Sequence, residues 1–418
     1  MNPLQEQQEK YVLYSWSAQT KAKPLHIAHA KGSKFTLENG HTLLDFSSQG
    51  FNANLGHGHP KIQEALLNYA QNPRVLHPAA IDQEKAKLGK NLSRISPNSA
   101  HTGLVKSFFC LGGADAVENA IKIARLVTKK HKVVTRYKSY HGSTLATIGY
   151  SGDSRRIPFD NTVTGVVRFP EPCTKNSSQQ IDTVQLLEEI IQVEGPETIA
   201  CILLESITGI GGVLIPPDSC WPRIRALCDK YHILLIADEV LTGFGRTGSW
   251  FALDHFGVTP DLMAIAKGLT GGYAPLGAVM MTQKIANYFQ DEILYCGLAS
   301  YGNPLSCAVA NAAIHAYEEG NLIENAHIRG QELQVHLKEL ENSFDIISDT
   351  RSIGLLAAIE LQKLSEQNRS ANLQQALFDA GIFCVVRTNH IILAPPLCIT
   401  QDELMHATQL LGKVLSNL

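Results

Sequence analysis

The sequence predicts an α/β protein with a large domain, built on a largely parallel mixed sheet, and a smaller α/β domain. From about residue 100, short apolar segments alternate with segments of helical periodicity, which is typical of a parallel sheet covered by helices on both faces. The 418 residues are 44% hydrophobic and 18% charged, so the chain has enough apolar material for a large core.

The large domain is predicted to span residues 51–315. A turn at Pro60 precedes a helix over 61–72, and a longer helix, 304–319, ends the domain. Seven strands are predicted, over 106–111, 132–136, 163–169, 198–205, 232–238, 262–266 and 276–281. Helices are predicted between them, over 115–129, 181–193, 222–231 and 285–289.

The smaller domain is predicted to combine residues 1–50 with 316–418. In its first part, residues 36–45 have the pattern of a β-hairpin closed by Asn39-Gly40. Its second part alternates helices over 326–342, 372–380 and 401–415 with strands over 354–360, 382–386 and 390–394.

Composition argues against several classes of protein. A formal net charge of −3 gives no basic field for nucleic acid. Nine cysteines without a Cys-x-x-Cys pair favour reduced thiols over a disulfide framework. The polar N-terminus and the lack of a run of about 18 apolar residues predict a cytoplasmic protein without a membrane span. His57 and His59 lack an evident third ligand, so no metal site is expected.

Two apolar segments each end in a residue with an ionisable side chain that can take part in catalysis. One segment ends at Lys267, and burial of its amine favours the neutral, nucleophilic form. The other ends at Asp238, and a buried carboxylate needs a cationic partner. A pyridoxal phosphate (PLP) enzyme requires this combination, because a lysine forms the Schiff base and an aspartate keeps the pyridine nitrogen protonated.

Two further segments fit the same cofactor. Gly113 and Ala114 follow a strand and open a helix, where free N–H groups can bind a phosphate, although a plain turn explains them equally well. The pattern is neither G-x-G-x-x-G nor a Walker motif, which disfavours a nucleotide. Tyr140 follows the next strand and can stack on a planar ring or simply pack in a loop. All these groups fall at carboxyl ends of strands, where open α/β sheets bind ligands.

Residues 234–248 and 259–272 carry a resemblance to the class III PLP-dependent aminotransferases, the ω-aminotransferase group of fold type I, and the likeness extends over nearly the whole chain. The resemblance implies that Lys267 forms the Schiff base and moves the substrate proton, and that Asp238 pairs with the pyridine nitrogen. It also implies that Val240 and Tyr140 pack on the two ring faces. Gly113 and Ala114 would bind the phosphate, and Glu205 would lie near the ring.

The resemblance further implies a homodimer with shared active sites. Ser300 would bind the phosphate in the partner's site, and Trp16 would line the substrate entrance. The chain departs from the family pattern at three points. Ala299 and Ser206 stand where the family usually has threonine and proline, and the usual arginine near residue 384 is missing. Arg387 is the nearby candidate for binding a substrate carboxylate.

The predicted reaction is a ping-pong transamination from an ω-amine or ω-amino acid, similar to taurine or β-alanine, to a keto acid such as pyruvate or 2-oxoglutarate. Alternatives of the same fold are an aminomutase, racemase or decarboxylase, and a diaminopelargonate-type aminotransferase of biotin synthesis. A non-catalytic binding protein is disfavoured, because Lys267 and Asp238 are both present.

Overall fold

The structure is a computed structural model that describes residues 3–98, 103–171, 182–362 and 369–417. The helices are α1 (Pro3–Tyr11), α2 (Ser48–Phe51, a single turn), α3 (Pro60–Ala70), α4 (Gln83–Ile95), α5 (Gly113–Thr128), α6 (Leu145–Tyr150), α7 (Thr183–Glu194), α8 (Cys220–Tyr231), α9 (Gln283–Tyr288), α10 (Pro304–Glu319), α11 (Leu322–Ser343), α12 (Arg369–Asp379) and α13 (Gln401–Leu415).

The strands form three sheets. They are β1 (Ile27–Lys31), β2 (Lys34–Leu37), β3 (Thr42–Asp45), β4 (Lys106–Cys110), β5 (Lys132–Arg136), β6 (Val166–Phe169), β7 (Ile199–Glu205), β8 (Leu234–Asp238), β9 (Leu262–Ile265), β10 (Gly277–Met281), β11 (Ile347–Ile353), β12 (Leu356–Leu361), β13 (Ile382–Phe383), β14 (Val385–Arg387) and β15 (His390–Leu393).

The central sheet has seven strands in the order β4-β10-β9-β8-β7-β5-β6. Strands β5 to β9 run parallel, while β10 is antiparallel to both of its neighbours. All residues of β7 and β8 are buried, because helices cover both faces. The predicted α/β fold with a largely parallel mixed sheet is thus confirmed, and so are its seven strands.

The remaining strands form two four-stranded sheets. One has the order β1-β2-β3-β13 and joins the predicted hairpin to the C-terminal part of the chain, since β13 pairs in parallel with β3. The other, β11-β12-β15-β14, is antiparallel. The single strand predicted over 382–386 was wrong, because the chain passes from one sheet to the other at Cys384.

Six of the described helices and strands were not predicted: α1, α2, α4, α6, β1 and β11. The helix α4 is capped by Asp82, whose Oδ1 accepts a hydrogen bond from the Lys85 N–H at 2.9 Å. Within the described residues, no helix has the length and the apolar character needed to cross a membrane. The division of the chain into domains at residues 50 and 315 stays a prediction.

Candidate active site

A cavity of about 770 Å³ lies at the carboxyl ends of the central strands, which is where ligands bind in open α/β sheets. It brings together most of the residues that the sequence singled out. Ser300, by contrast, is exposed and does not line it, and neither does Arg387. The predicted residues that line the cavity are Trp16, Gly113, Ala114, Tyr140, Glu205, Asp238, Val240 and Lys267.

Lys267 lies just beyond β9, in a backbone conformation with φ of 47°. A left-handed φ costs a lysine roughly 1–3 kcal/mol, which the packing around the site must offset. Burial lowers the pKa of its amine, while the charges of Asp238 and Glu205 oppose the shift. Its Nζ lies 5.5 Å from the centre of the Phe51 ring. The net lowering favours the neutral amine that a nucleophile or proton acceptor needs.

Asp238 is the last residue of β8 and is only 4% exposed. Its Oδ2 lies 2.7 Å from His141 Nδ1, and its Oδ1 accepts a hydrogen bond from the Val240 N–H at 3.0 Å. The other ring nitrogen of His141, Nε2, lies 3.2 Å from the Thr135 hydroxyl. The imidazole therefore fixes the orientation of the buried carboxylate.

Glu205 ends β7 and pairs in register with Asp238 on β8. Its two carboxyl oxygens accept hydrogen bonds from the backbone N–H groups of Tyr140, at 2.9 Å, and Gly209, at 3.0 Å. Burial raises the pKa of Glu205 to about 7, and the nearby charge of Asp238 contributes to this rise. Glu205 thereby attaches the Tyr140 loop to the end of the central sheet.

The glycine loop at the start of α5 packs directly against Val240. A Cβ atom on Gly113 would come within 2.7 Å of Val240 Cγ1, so only glycine fits this close approach. Because α5 begins at Gly113, its first N–H groups have no partner from a preceding turn. The loop therefore offers an anion-binding end of a helix beside an apolar side chain.

Two aromatic residues and one cation form another wall of the cavity. The rings of Trp16 and Tyr140 meet edge to face, with centroids 6.2 Å apart. The guanidinium carbon of Arg155 lies 3.8 Å from the Tyr140 centroid and 4.7 Å from the Trp16 centroid. Contacts of this kind stabilise a cation over an aromatic face.

No role was predicted from the sequence for His141, Arg155 or Phe51, which line the cavity or lie beside Lys267. His141 could have been noticed, since it follows Tyr140 directly and a buried carboxylate needs a partner. No local pattern marks Arg155, because its position depends on how a distant loop folds over the cavity. Phe51 lies in α2, where residues 48–51 all have positive φ.

These features fit PLP. Lys267 supplies a buried amine and Asp238 a fixed carboxylate, Gly113 and Ala114 open a helix whose free N–H groups could hold a phosphate, and Val240 offers an apolar side chain against which a flat ring could pack. No cluster of three metal-ligating side chains occurs among the residues that the structure describes. Fold and site together define a PLP-dependent enzyme of fold type I.

Comparison with known proteins places the chain in a family. Residues 16–415 match the family model described as aminotransferase class III, so the chain belongs to the class III aminotransferases, which use PLP. It is 33% identical to the acetylornithine aminotransferase of Methanothermobacter thermautotrophicus, over 99% of this chain and 98% of the relative. It is 32% identical to an omega-aminotransferase of Caulobacter vibrioides, over 94% of each protein.

Solved structures with the same fold are also PLP-dependent aminotransferases. The taurine:2-oxoglutarate aminotransferase from Bifidobacterium kashiwanohense, solved with PLP and glutamate, superposes with a TM-score of 0.93 at 35% identity. The match covers 98% of this chain and 96% of that one. An amine transaminase from an uncultivated Pseudomonas species, in its PLP-bound form, superposes with a TM-score of 0.90 at 28% identity, covering 97% and 98% of the chains. The predicted cofactor and enzyme class are therefore confirmed.

Proposed function

We propose that this aminotransferase moves the amino group of an ω-amine or ω-amino acid, of the taurine or β-alanine kind, to a keto acid such as pyruvate or 2-oxoglutarate. The observation that carries the proposal is a buried lysine amine of lowered pKa that shares one cavity with a buried aspartate. Relatives support the substrate class, since a taurine–pyruvate aminotransferase of Bilophila wadsworthia is 31% identical over 85% of this chain and 81% of the relative.

Lys267 performs the proton transfer in this proposal. When bound, PLP supplies an electron acceptor for the carbanion that forms as the substrate loses a proton. The Lys267 amine would take that proton from the carbon bearing the substrate's amino group and pass it to the cofactor's C4′ carbon, and in the second half-reaction it would carry a proton the other way, to the keto acid's carbon. Burial lowers the pKa of Lys267, so the amine is in its neutral, proton-accepting form over a wider pH range than an exposed lysine.

Asp238 would keep the ring nitrogen of bound PLP protonated, and His141 holds Asp238 in place. A protonated ring withdraws electrons more strongly, so this pair of residues controls how well the cofactor stabilises negative charge. Val240 and Tyr140 would pack against the two ring faces, and the N–H groups of Gly113 and Ala114 would bind the phosphate. Glu205 holds the Tyr140 loop by accepting a hydrogen bond from the Tyr140 N–H.

We also propose a homodimer with shared sites. Ser300 is exposed and lies outside the cavity of its own chain, which is consistent with a role at the phosphate of the partner's site. The apolar residues Val75 and Ile81 are fully exposed in the single chain. A second subunit packed against them would remove this apolar surface from water. This chain has Ala299 where the family usually has threonine, so either the Ser300 hydroxyl or the backbone alone would contact the phosphate there.

The test combines a substrate screen with a lysine variant. Purified holoenzyme is incubated with taurine or β-alanine and either pyruvate or 2-oxoglutarate, and both the new amino acid and the new carbonyl compound are measured. Only transamination yields both, which separates it from a mutase, racemase or decarboxylase.

Lys267→Ala should lose the covalent bond to PLP and at least about 1,000-fold in turnover, since proton transfer alone typically contributes 10²–10⁴-fold. Borohydride reduction followed by peptide mass spectrometry checks the bond. Lys284→Ala, an exposed lysine in α9, is the matched control and should behave as wild type. Full turnover by Lys267→Ala would refute the assignment of the lysine. No product from any tested donor would refute the substrate class.

A further inference from the structure

The loop that leads into α5 has no side chain that can bind a phosphate. Leu111, Gly112, Gly113 and Ala114 all line the cavity, and none of them carries a polar side-chain atom. This loop can therefore offer a phosphate only backbone N–H groups, whose directions depend on the conformation of the chain. Two adjacent glycines have many accessible conformations, so the loop needs a contact that selects one of them.

A carboxylate in the first turn of α5 makes such a contact. Asp115 Oδ2 accepts a hydrogen bond at 2.9 Å from the N–H of Leu111, where the loop leaves β4. The bond resembles a capping box, in which an acidic side chain at the third helical position reaches back to the chain before the helix. Asp115 does not line the cavity. Its carboxylate therefore connects the two ends of the loop from outside the cavity.

Asn119, one turn further along α5, orients this carboxylate. Its Nδ2 donates to Asp115 Oδ1 and to the Asp115 backbone carbonyl oxygen, each at 2.8 Å. The same nitrogen lies 3.8 Å from Sγ of Cys110, the last residue of β4. Asn119 is only 6% exposed and does not line the cavity either. Both oxygens of Asp115 thus have donors, which gives the carboxylate a defined position.

The charge of Asp115 has an effect opposite to that of its hydrogen bond. A negative charge in the first turn of a helix is stabilised by the helix dipole, but it would repel a phosphate bound at the same end. Removing the charge alone should therefore strengthen phosphate binding, whereas releasing the loop should weaken it. Because the two effects differ in sign, a binding measurement can separate them.

We propose that Asp115, oriented by Asn119, is a positioning residue that holds the loop 111–114 in the conformation in which its N–H groups bind the PLP phosphate. The inference rests on the proposed function, in which Gly113 and Ala114 bind that group. It adds two residues outside the cavity lining that act on the cofactor only through the loop.

The experiment compares the binding of PLP with that of pyridoxal, the same aldehyde without the phosphate. The ratio of the two dissociation constants, here called the PLP preference, measures what the phosphate contributes, and general damage to the fold weakens both ligands alike. Equilibrium titrations followed by absorption give the ratio for wild type, Asp115→Ala, Asp115→Asn, Asn119→Ala and the double variant Asp115→Ala/Asn119→Ala.

Glu118→Ala is the matched control. It removes a carboxylate from the same helix, but the Glu118 side chain accepts a hydrogen bond from the Thr144 hydroxyl and does not line the cavity. The PLP preference of this variant should therefore not fall below that of wild type.

Asp115→Ala should lower the PLP preference by about tenfold, the size expected for loss of one charge-assisted hydrogen bond. Asp115→Asn keeps an oxygen that can accept from the Leu111 N–H and removes the repulsion, so its preference should stay within about threefold of wild type. Asn119→Ala should lose less than Asp115→Ala. In the double variant it should cost nothing more, because Asn119 acts through Asp115.

Hydrogen exchange of the Leu111 amide tests the contact itself in the protein without PLP. The Leu111 N–H loses its acceptor in Asp115→Ala, so a peptide covering residues 107–114 should exchange faster in this variant than in wild type or Glu118→Ala. Mass spectrometry of the exchanged peptides provides the measurement.

An unchanged or increased PLP preference in Asp115→Ala would overturn the inference. An equal loss in Glu118→Ala, or additive losses in the double variant, would do the same. If Asp115→Ala does not fold, Asn119→Ala decides, and a wild-type preference in that variant contradicts the positioning role. Failure of the proposed phosphate site looks different, because Gly113→Ala would then also keep the wild-type preference while Leu111 exchange would still respond to Asp115.

Discussion

Lys267 and Asp238 are the two residues whose chemistry could be predicted from local sequence, since each ends an apolar segment that had to become a buried strand. Their partners could not be predicted in the same way. His141 and Asp238 are 97 residues apart in the chain, and only the pairing of β5 with β7 and of β7 with β8 brings them within 2.7 Å. A contact of this kind depends on sheet order, which no short segment encodes.

His141→Phe tests the residue that holds Asp238. An aromatic ring is kept, but the Asp238 carboxylate loses one hydrogen bond, and a hydrogen bond to a charged group is worth about 1.5–3 kcal/mol. We expect kcat to fall by roughly tenfold to a hundredfold, while Lys267 still binds PLP covalently. Steady-state kinetics and the PLP absorption spectrum check the two parts. Wild-type kcat in this variant would show that the imidazole does not support Asp238.

Because the pKa of Glu205 is raised in the folded protein, we expect the free energy of unfolding of the protein without PLP to depend on pH. Burial raises the pKa of Glu205 in the folded protein to about 7 from its ordinary value of 4.5, so the unfolded chain releases this proton first as pH rises. The stability that the protonated carboxyl contributes is complete below about pH 4.5 and is lost as pH rises through about 7. Urea unfolding at several pH values between 4 and 8 measures this decline.

Glu205→Gln removes the titrating group from the same position. Its free energy of unfolding should fall less steeply with pH between about 4.5 and 7 than that of wild type, whatever its absolute stability. The difference between the two slopes isolates Glu205 from the other titrating groups. Parallel slopes would mean that this carboxyl is ionised at an ordinary pH in the folded protein.

At the scale of elements, the strongly apolar central strands were predictable, and weakly patterned elements were not. In α4 only Leu88, Leu92 and Ile95 are buried. This narrow apolar stripe in an otherwise polar segment is too weak a periodic signal to predict the helix. The edge strand β11 alternates irregularly between buried and exposed residues and gave no period-two signal. Burial on both faces is what makes a strand conspicuous in sequence.

The close contact between Gly113 and Val240 leads to a prediction about the affinity for PLP. Gly113→Ala would place a Cβ atom 2.7 Å from Val240 Cγ1, so the loop must move away from the position in which we propose that it binds the phosphate. We expect PLP affinity to fall by at least about tenfold, since loss of one charge-assisted hydrogen bond has this size. Equilibrium binding of PLP to the protein provides the measurement.

Val240→Ala serves both as control and as rescue. Alone, it should weaken PLP binding less than Gly113→Ala does, because only part of an apolar ring contact is lost. In the double variant the clash disappears, so PLP should bind more tightly than to Gly113→Ala alone, a coupling expected for residues in direct contact. Additive losses would show that the two residues act independently.

Over the whole molecule, Arg246 connects distant parts of the chain. It is fully buried, and its Nη1 donates to the carbonyl oxygens of Leu355 and Pro395, while Nη2 donates to Ser48 Oγ and Asn54 Oδ1. A buried guanidinium is tolerated only when such acceptors surround it. Arg246 thus joins the N-terminal and C-terminal segments above the central sheet, including residues 48–51 beside Lys267.

The proposed dimer predicts complementation between two impaired chains. Ser300→Asp should weaken PLP binding, because a carboxylate would repel the phosphate of the partner's site. Lys267→Ala lacks the reactive amine. When the two variants are co-expressed with different tags and the mixed dimer is purified, one site has both wild-type residues and should recover about half of the wild-type activity per dimer.

Activity no higher than that of the two parent variants would contradict a shared site, even if the protein proved dimeric. Light scattering on the wild type provides the independent measure of oligomeric state. A monomer would refute the dimer directly, whereas an active mixed dimer requires that Ser300 and Lys267 of one site come from different chains.

The sequence by itself predicted the class of fold and the cofactor, which are confirmed, and it singled out Lys267 and Asp238 as candidates for the reactive groups, because apolar periodicity and strand ends are local properties. The tertiary structure decided which other groups meet them. The insertion of β10 between β4 and β9, the contact of His141 with Asp238 and the position of Arg155 over Tyr140 all depend on long-range packing. Such packing depends on segments that are far apart in the chain, so it cannot be predicted from any single segment of the sequence.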